Sequence, residues 1–332
     1  MLPGLGRRSC QVAVLAMLAA CGGVGRDDFV AAWIDADCER AARCGEYVSK
    51  EACVAHDHVT RAIDQDLLDL IQMVASPRIS YDAGEGAACI ERRRNASCDR
   101  TSADWRTIAA SCAPAFRGEV PTGGVCYLDA ECRDSACPAR NCSEPRCCAR
   151  TCAEQPRPAQ RGESCSERPC VEGNFCNDFQ VCTELLPAGS MCNLFFDCAY
   201  GLSCDGGVCE NPPGRGESCV DGGCENWFGD RCAPASGTCE RLATAGEPCV
   251  WGADCQLPFL CVSSVCVDPP EAGESCAEGV FCRSNAYCNG SVCVARRAEG
   301  EFCDSALECQ TGHCDGATAS ASGICAKPPT CG

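Results

Sequence analysis

The sequence predicts an array of small disulfide-rich repeats, irregular apart from short β-hairpins, preceded by a small all-α domain that is itself disulfide-linked. Three observations predict it. Cysteine accounts for 40 of the 332 residues, above the ~8–10 % that marks a disulfide scaffold in a short secreted chain. From Cys126 onward, groups of cysteines recur at a nearly constant interval. Residues 27–117 instead place apolar side chains at helical spacing among only six cysteines.

The first twenty residues read as an export signal. Arg7 and Arg8 form a basic start, and Val12 to Ala20 is apolar over a length that suits a signal-peptide core but not a bilayer span. The stretch ends in Leu18-Ala19-Ala20-Cys21. That motif resembles the bacterial lipobox. The resemblance implies cleavage before Cys21 and acylation of its thiol. Residues 1–20 are then a lipoprotein signal peptide and 21–26 a lipidated linker. The alternative is an ordinary signal peptide cut near Ala20, which leaves a soluble secreted protein. Arg7-Arg8 lacks the remainder of a twin-arginine pattern. Cysteine parity favours the lipid: without Cys10 and an acylated Cys21, 38 of the 40 cysteines remain, an even number. Gly22, where many inner-membrane lipoproteins have aspartate, points to the outer membrane. The expected partner at this end is the membrane itself, held by more than one acyl chain because a single chain is marginal.

Residues 27–117 predict four amphipathic helices. Phe29, Trp33 and Ala36 recur at helical spacing after Asp27-Asp28, which suit a helix N-terminus. Ser49 is an N-cap for a longer helix with Val59, Ile63, Leu67, Leu70, Ile71 and Val74 on its apolar face, closed by Pro77. A third helix runs from about Asp82 through Ile90, and a fourth starts at Ser102 and carries Trp105, Ile108 and Ala109. The six cysteines here are Cys38, Cys44, Cys53, Cys89, Cys98 and Cys112, and their spacing does not choose among the possible pairings. His56 and His58 stand two apart, which does not make a helical metal pair, and read as surface histidines. Arg92-Arg93-Arg94 reads as a solvated helix face.

Residues 118–332 predict about seven repeats. The opening cysteines, Cys126, Cys165, Cys192, Cys219, Cys249, Cys276 and Cys303, are spaced by 39, 27, 27, 30, 27 and 27 residues. Five middle units hold four cysteines each: Cys165, Cys170, Cys176, Cys182; Cys192, Cys198, Cys204, Cys209; Cys219, Cys224, Cys232, Cys239; Cys249, Cys255, Cys261, Cys266; and Cys276, Cys282, Cys288, Cys293. Within a unit, pairing of first with third and second with fourth is favoured. The first unit has Cys126, Cys132, Cys137, Cys142, Cys147, Cys148 and Cys152, and the last has Cys303, Cys309, Cys314, Cys325 and Cys331. Both counts are odd, so a long-range or intermolecular bond is expected. Most units open with Gly-Glu-x-Cys. Several place Asp-Gly or Asn-Gly between their last two cysteines, a hairpin signal because both residues tolerate positive φ. Pro212-Pro213-Gly214 and Pro269-Pro270 mark joints. A 27-residue unit whose large apolar residues are Val280, Phe281, Tyr287 and Val292 buries too little surface to fold alone. Two disulfides, roughly 2–4 kcal/mol each, replace the core, giving a rod or curved string of stapled units.

The spacing Cys126-x5-Cys132 and Cys303-x5-Cys309, followed by closely spaced cysteines, resembles the N-terminal cysteine-rich region of Dickkopf proteins and the repeats of bacterial cysteine-rich lipoproteins. The likeness covers roughly residues 120–330. It implies the module type. The extracellular signalling antagonism of Dickkopf proteins is an alternative that the lipobox argues against.

Composition narrows function. No Cys-x2-Cys occurs and there are three histidines, which disfavours zinc, and no cofactor is expected. Losing Arg7 and Arg8 takes the net charge from −18 to −20, which disfavours nucleic acid. Asp205-Gly206-Gly207 and Asp221-Gly222-Gly223 lack the oxygen ladder of a calcium loop. Asn95, Asn141 and Asn289 match a glycosylation pattern by chance. Without Gly-x-Ser-x-Gly, His-Glu-x-x-His or a Walker loop, no catalytic residue stands out. The expectation is a non-enzymatic envelope protein, whose array serves protein or glycan binding, adhesion or spacing. A secreted, protease-inhibitor-like protein is the alternative.

Overall fold

The computed structural model describes residues 23–60, 65–98, 112–138 and 148–327, apart from 155–156, 167, 178, 194–196, 200, 220–223, 227–228, 234, 277–281, 284–285 and 318–320. It contains a helical N-terminal part followed by disulfide-stapled units, most of them built on one two-stranded antiparallel hairpin. Cys21 and the helix expected from Ser102 lie outside the described residues.

Helix α1 (Phe29–Cys44) ends at Gly45, whose φ of 82° closes the helix and whose N–H returns to the last-turn carbonyls. Ser49 caps α2 (Lys50–Thr60) by accepting the Ala52 N–H at 3.1 Å. Helix α3 (Gln65–Ala75) follows, with residues 61–64 between them outside the description. After β1 (Ile79–Tyr81), Asp82 accepts the N–H groups of Gly84 and Glu85 and starts α4 (Ala83–Arg94), which continues four residues beyond the expected end at Ile90. Strand β1 pairs with β2 (Phe116–Gly118).

Phe29, Tyr81 and Phe116 meet edge-on or tilted at 5.0–5.7 Å, over Ile79 and Ile90. A second cluster joins Ile34, Ala41 and Tyr47 to the Cys38–Cys53 disulfide. Cys44–Cys98 and Cys89–Cys112 complete the head's pairing.

The arginine run differs from the solvated face expected of it. Arg93 reaches Asp37 at 2.9 Å and lies 3.8 Å over the Trp33 ring, while Arg94 bonds Glu39 and Glu91. Asp37 is 1 % exposed and also meets Arg40. A buried carboxylate needs such partners to remain charged, so this arginine pins α4 to α1. His56 also differs: its Nδ1 shares a 2.8 Å hydrogen bond with the Tyr47 hydroxyl. The side chain of His58 lies outside the description.

In the array, all five middle units pair first cysteine with third and second with fourth, as in Cys192–Cys204 with Cys198–Cys209. The end units use the same crossing: Cys126–Cys137 with Cys132–Cys152, and Cys303–Cys314 with Cys309–Cys325. Cys148 is also in a disulfide, its partner outside the described residues, as are Cys142, Cys147 and Cys331. The long-range or intermolecular bond expected from the odd counts therefore falls outside the described residues.

The strands are β3 (Val125–Cys126) with β4 (Arg150–Thr151), β5 (Asn174–Cys176) with β6 (Cys182–Glu184), and β7 (Ser203–Asp205) with β8 (Val208–Glu210). Next come β9 (Asp230–Ala233) with β10 (Thr238–Arg241), β11 (Leu260–Val262) with β12 (Val265–Val267), and β13 (Ala286–Cys288) with β14 (Cys293–Ala295). The last unit has three: β15 (Phe302–Cys303) and β16 (Cys314–Asp315) flank β17 (Gly323–Cys325).

Candidate binding surface

Three local devices recur among the units. The Gly-Glu signature is a type II turn. In unit 2, Glu163 N–H donates to Gln160 O, and Gly162 takes the position that demands positive φ, at 82°. The glutamate side chain then reaches back to the turn's first N–H, at 2.6–2.9 Å in units 2, 4, 5, 6 and 7. The glycine N–H donates to the unit's closing cysteine, as from Gly246 to Cys266 O at 2.8 Å. Arg241 and the Thr244 N–H hold the Glu247 carboxyl down at about 2.

The residue six before the first cysteine forms the second device. It bridges in parallel to the second cysteine, as in Leu186 with Cys198 and Ala243 with Cys255. Pro213 and Pro270 occupy this place in units 4 and 6, where proline can only accept, from Glu225 and Arg283.

The third device has a signal in the sequence that the spacing of cysteines alone conceals. A carboxylate stands immediately before the second cysteine in four Cys-x5-Cys units: Glu131, Asp197, Asp254 and Glu308. Each is buried and accepts the N–H of the residue after the first cysteine: Tyr127, Asn193, Val250 and Asp304. Unit 6 has the same spacing with Phe281 there. Glu131 does more than its counterparts. It is fully buried, accepts the Ser76 hydroxyl at 2.7 Å and lies 3.7 Å from Arg78, tying unit 1 to the head.

The array also returns to the head. Tyr47 bridges in parallel to Leu257, with Val48 N–H donating to Leu257 O at 3.0 Å and Leu257 N–H to Glu46 O at 2.8 Å. The Gln256 amide donates to the carbonyls of Gly45 and Tyr47, and the Asn226 amide to Cys44 O. Leu257 packs on the Ile34–Tyr47 cluster. Gly229 lies so close to the Cys44 carbonyl that no side chain fits between them. Units 4 and 5 thus clasp the turn after α1. The contacts between residues 44–48 and 226–257 span 182 to 211 positions, and no sequence periodicity announces them.

This clasp creates a groove of about 970 Å³ between α2, unit 5 and the start of unit 6. Its walls include Val48, Ala52, Ala55, Leu257, Phe259 and Leu260, and its rim carries Asp268, Glu271 and Arg283. His56, expected on the open surface, lines this groove. Leu260 continues the apolar wall onto the outer face of the β11–β12 hairpin, where register places it with Val267, Val262 and Val265. The three valines are 36–41 % exposed, and Trp251 nearby in the sequence is 70 % exposed. Equivalent hairpins mix in polar groups: Ser203 with Glu210 on β7–β8, and Arg231 with Glu240 on β9–β10.

No family model, curated protein or solved structure matches the chain. The surface must therefore be read from its own chemistry. The triplets of cysteine sulfurs that lie within 4.8 Å of one another belong to the crossed disulfides of the units. A disulfide sulfur is not the thiolate a metal requires. Every described cysteine is oxidised, and no described helix is long and apolar enough to cross a membrane. Such extensive pairing belongs to a chain that folds outside the reducing cytoplasm.

Proposed function

We propose that this is a non-enzymatic lipoprotein of the cell envelope, anchored through an acylated Cys21 in the outer membrane and facing the periplasm or the exterior. Its stapled array presents a surface for protein or glycan. The observation that carries the binding reading is the unit 5 surface. A hairpin with a wholly apolar outer face runs from the groove beside α2. Isolated exposed apolar residues are ordinary, whereas a contiguous run beside a groove marks an interaction site. The Dickkopf-like resemblance enters as a module type only, without the signalling role.

Mass spectrometry of the mature protein tests the anchor: Cys21 carries acyl chains and alkylation finds no thiol. An unmodified Cys21 thiol overturns the anchor. Immobilised mature chain, presented to envelope and secreted fractions, tests the binding role. A hydrolytic activity lost on changing a single carboxylate would overturn the non-enzymatic reading.

A further inference from the structure

The groove has three properties that together specify an occupant. First, it is large and apolar, at the upper end of the size range of preformed ligand sites. Apolar side chains can therefore be buried in it along Ala52, Ala55, Leu257 and Phe259. Second, its rim carries an excess of negative charge. Arg283 is already engaged by Glu271 at 2.8 Å and Asp268 at 3.4 Å, which leaves two carboxylates against one guanidinium. His56, the other basic side chain lining the groove, shares its Nδ1 with Tyr47. The whole chain carries −18, so the far field attracts cations and repels anions. Third, Leu260 in one wall opens a strand that has a single strand neighbour among the described residues. β12 is covered on its far side by the Gly246–Cys249 turn, whereas β11 is hydrogen-bonded, among the described residues, to β12 alone. An edge of this kind offers main-chain groups to an extended polypeptide.

We propose that the groove between α2 and units 5 and 6 binds a cationic amphipathic polypeptide segment. Its apolar side chains enter between Ala55 and Phe259, and its lysines or arginines meet Asp268 and Glu271. The proposal rests on the binding role stated above and names the partner's chemistry and its seat. A charge-neutral glycan would gain no charge pairing from the acidic rim, and an acidic peptide would be repelled.

Short fluorescein-labelled peptides of alternating leucine and lysine, leucine and glutamate, or glycine and serine are titrated with the full mature chain and followed by anisotropy. The leucine–lysine peptide is expected to bind and the other two are not. Ala55→Trp and Ala272→Trp fill the groove from opposite walls, both at exposed positions. Each should weaken binding about tenfold or more, as loss of a central contact does. Asp268→Asn with Glu271→Gln should weaken it roughly threefold and flatten its salt dependence between about 20 and 300 mM. Circular dichroism of each variant shows that the fold is retained, and two blocking variants guard against misfolding of one. Equal binding of the acidic peptide, or leucine–lysine binding that both tryptophans leave intact, overturns the assignment. In those cases envelope proteins that remain bound to the blocked variants keep the broader binding role standing. Failure of every peptide and every envelope protein to bind the wild-type chain removes both.

Discussion

Replacing Glu131 with alanine removes a fully buried carboxylate that accepts the Ser76 hydroxyl at 2.7 Å and the Tyr127 N–H at 2.8 Å, with Arg78 at 3.7 Å. Ser76 is itself 2 % exposed, so its hydroxyl finds no water in exchange. A buried group left without a partner costs about 1–3 kcal/mol, and this substitution leaves two, the Ser76 hydroxyl and the Tyr127 N–H, whereas the partly exposed Arg78 is screened by solvent. Glu131→Ala should therefore destabilise the junction of head and unit 1 by about 2–4 kcal/mol. Glu131→Gln keeps an acceptor and should cost about 1–2 kcal/mol. Glu308 is the internal control. It occupies the same place before the second cysteine of unit 7, but among the described residues accepts only the Asp304 N–H, at 3.3 Å, and faces Arg297, whose side chain is 36 % exposed. Solvent screens that pair, and Glu308→Ala should cost about 1 kcal/mol. Hydrogen exchange with disulfides intact measures the first effect on residues 70–81 and the second on residues 302–315. Equal costs at the two positions would mean that the turn inside the unit, and not the bond to the head, makes Glu131 matter.

Gly229→Ala places a methyl on the Cys44 carbonyl and should open the clasp, raising amide exchange across residues 44–48. Gly216→Ala, at φ 87° in open space, should cost only the left-handed penalty of about 1–2 kcal/mol and leave that exchange unchanged; equal effects would rule out the clasp. The Glu247 carboxyl, held at about 2 by Arg241 and then the Thr244 N–H, has a folded-state pKa below its ordinary 4.5. Its stabilising contribution is thus fully present above about 4.5 and lost as pH falls from there to about 2. Carboxyl NMR should show that titration, and Arg241→Gln should move it toward 4.5; a wild-type midpoint near 4.5 would contradict it. Removing Cys282–Cys293, which closes a separation of 11 residues, should cost about 3 kcal/mol. Limited proteolysis should then nick residues 270–296 alone, since that unit has its own cysteine cluster, and cleavage throughout the array would contradict this independence.

What was legible in the sequence is what short-range physics dictates. Cysteine spacing exposed the unit, because two crossing bonds over separations of 11 to 15 residues leave little else for 27 residues to do. Ser49 as a cap followed from its residue type at the head of a periodic run, and the buried place of Phe29 from helical periodicity. The buried carboxylates were legible too, since Glu131, Asp197, Asp254 and Glu308 repeat in register with the second cysteine. They are hidden only when acidic residues are counted as surface by default. Arg93 misleads for the same reason: a basic run on a helix is solvated unless an aromatic ring and a buried carboxylate lie opposite, and Trp33 and Asp37 are 60 and 56 residues away.

The groove falls beyond this kind of reading, and the reason lies in how the units are stabilised. A unit held by its own disulfides places no demand on the outer face of its hairpin. Ser203 with Glu210, Arg231 with Glu240 and Leu260 with Val267 are all compatible with the same crossed staples. Fold and surface are thereby uncoupled, and the apolar face of β11–β12 cannot be explained as core. The clasp uses this freedom. Its contacts come from Gln256, Leu257 and Asn226, none of them in the unit's cysteine framework, and they fix unit 5 against α2 without altering its staples. A partner that enters the groove should therefore hold the clasp closed, because its seat needs walls from both sides. Binding of the leucine–lysine peptide should slow amide exchange at Val48, whose N–H donates to Leu257 O, and leave units 1 to 3 unchanged. Binding with no change at Val48 would place the peptide elsewhere.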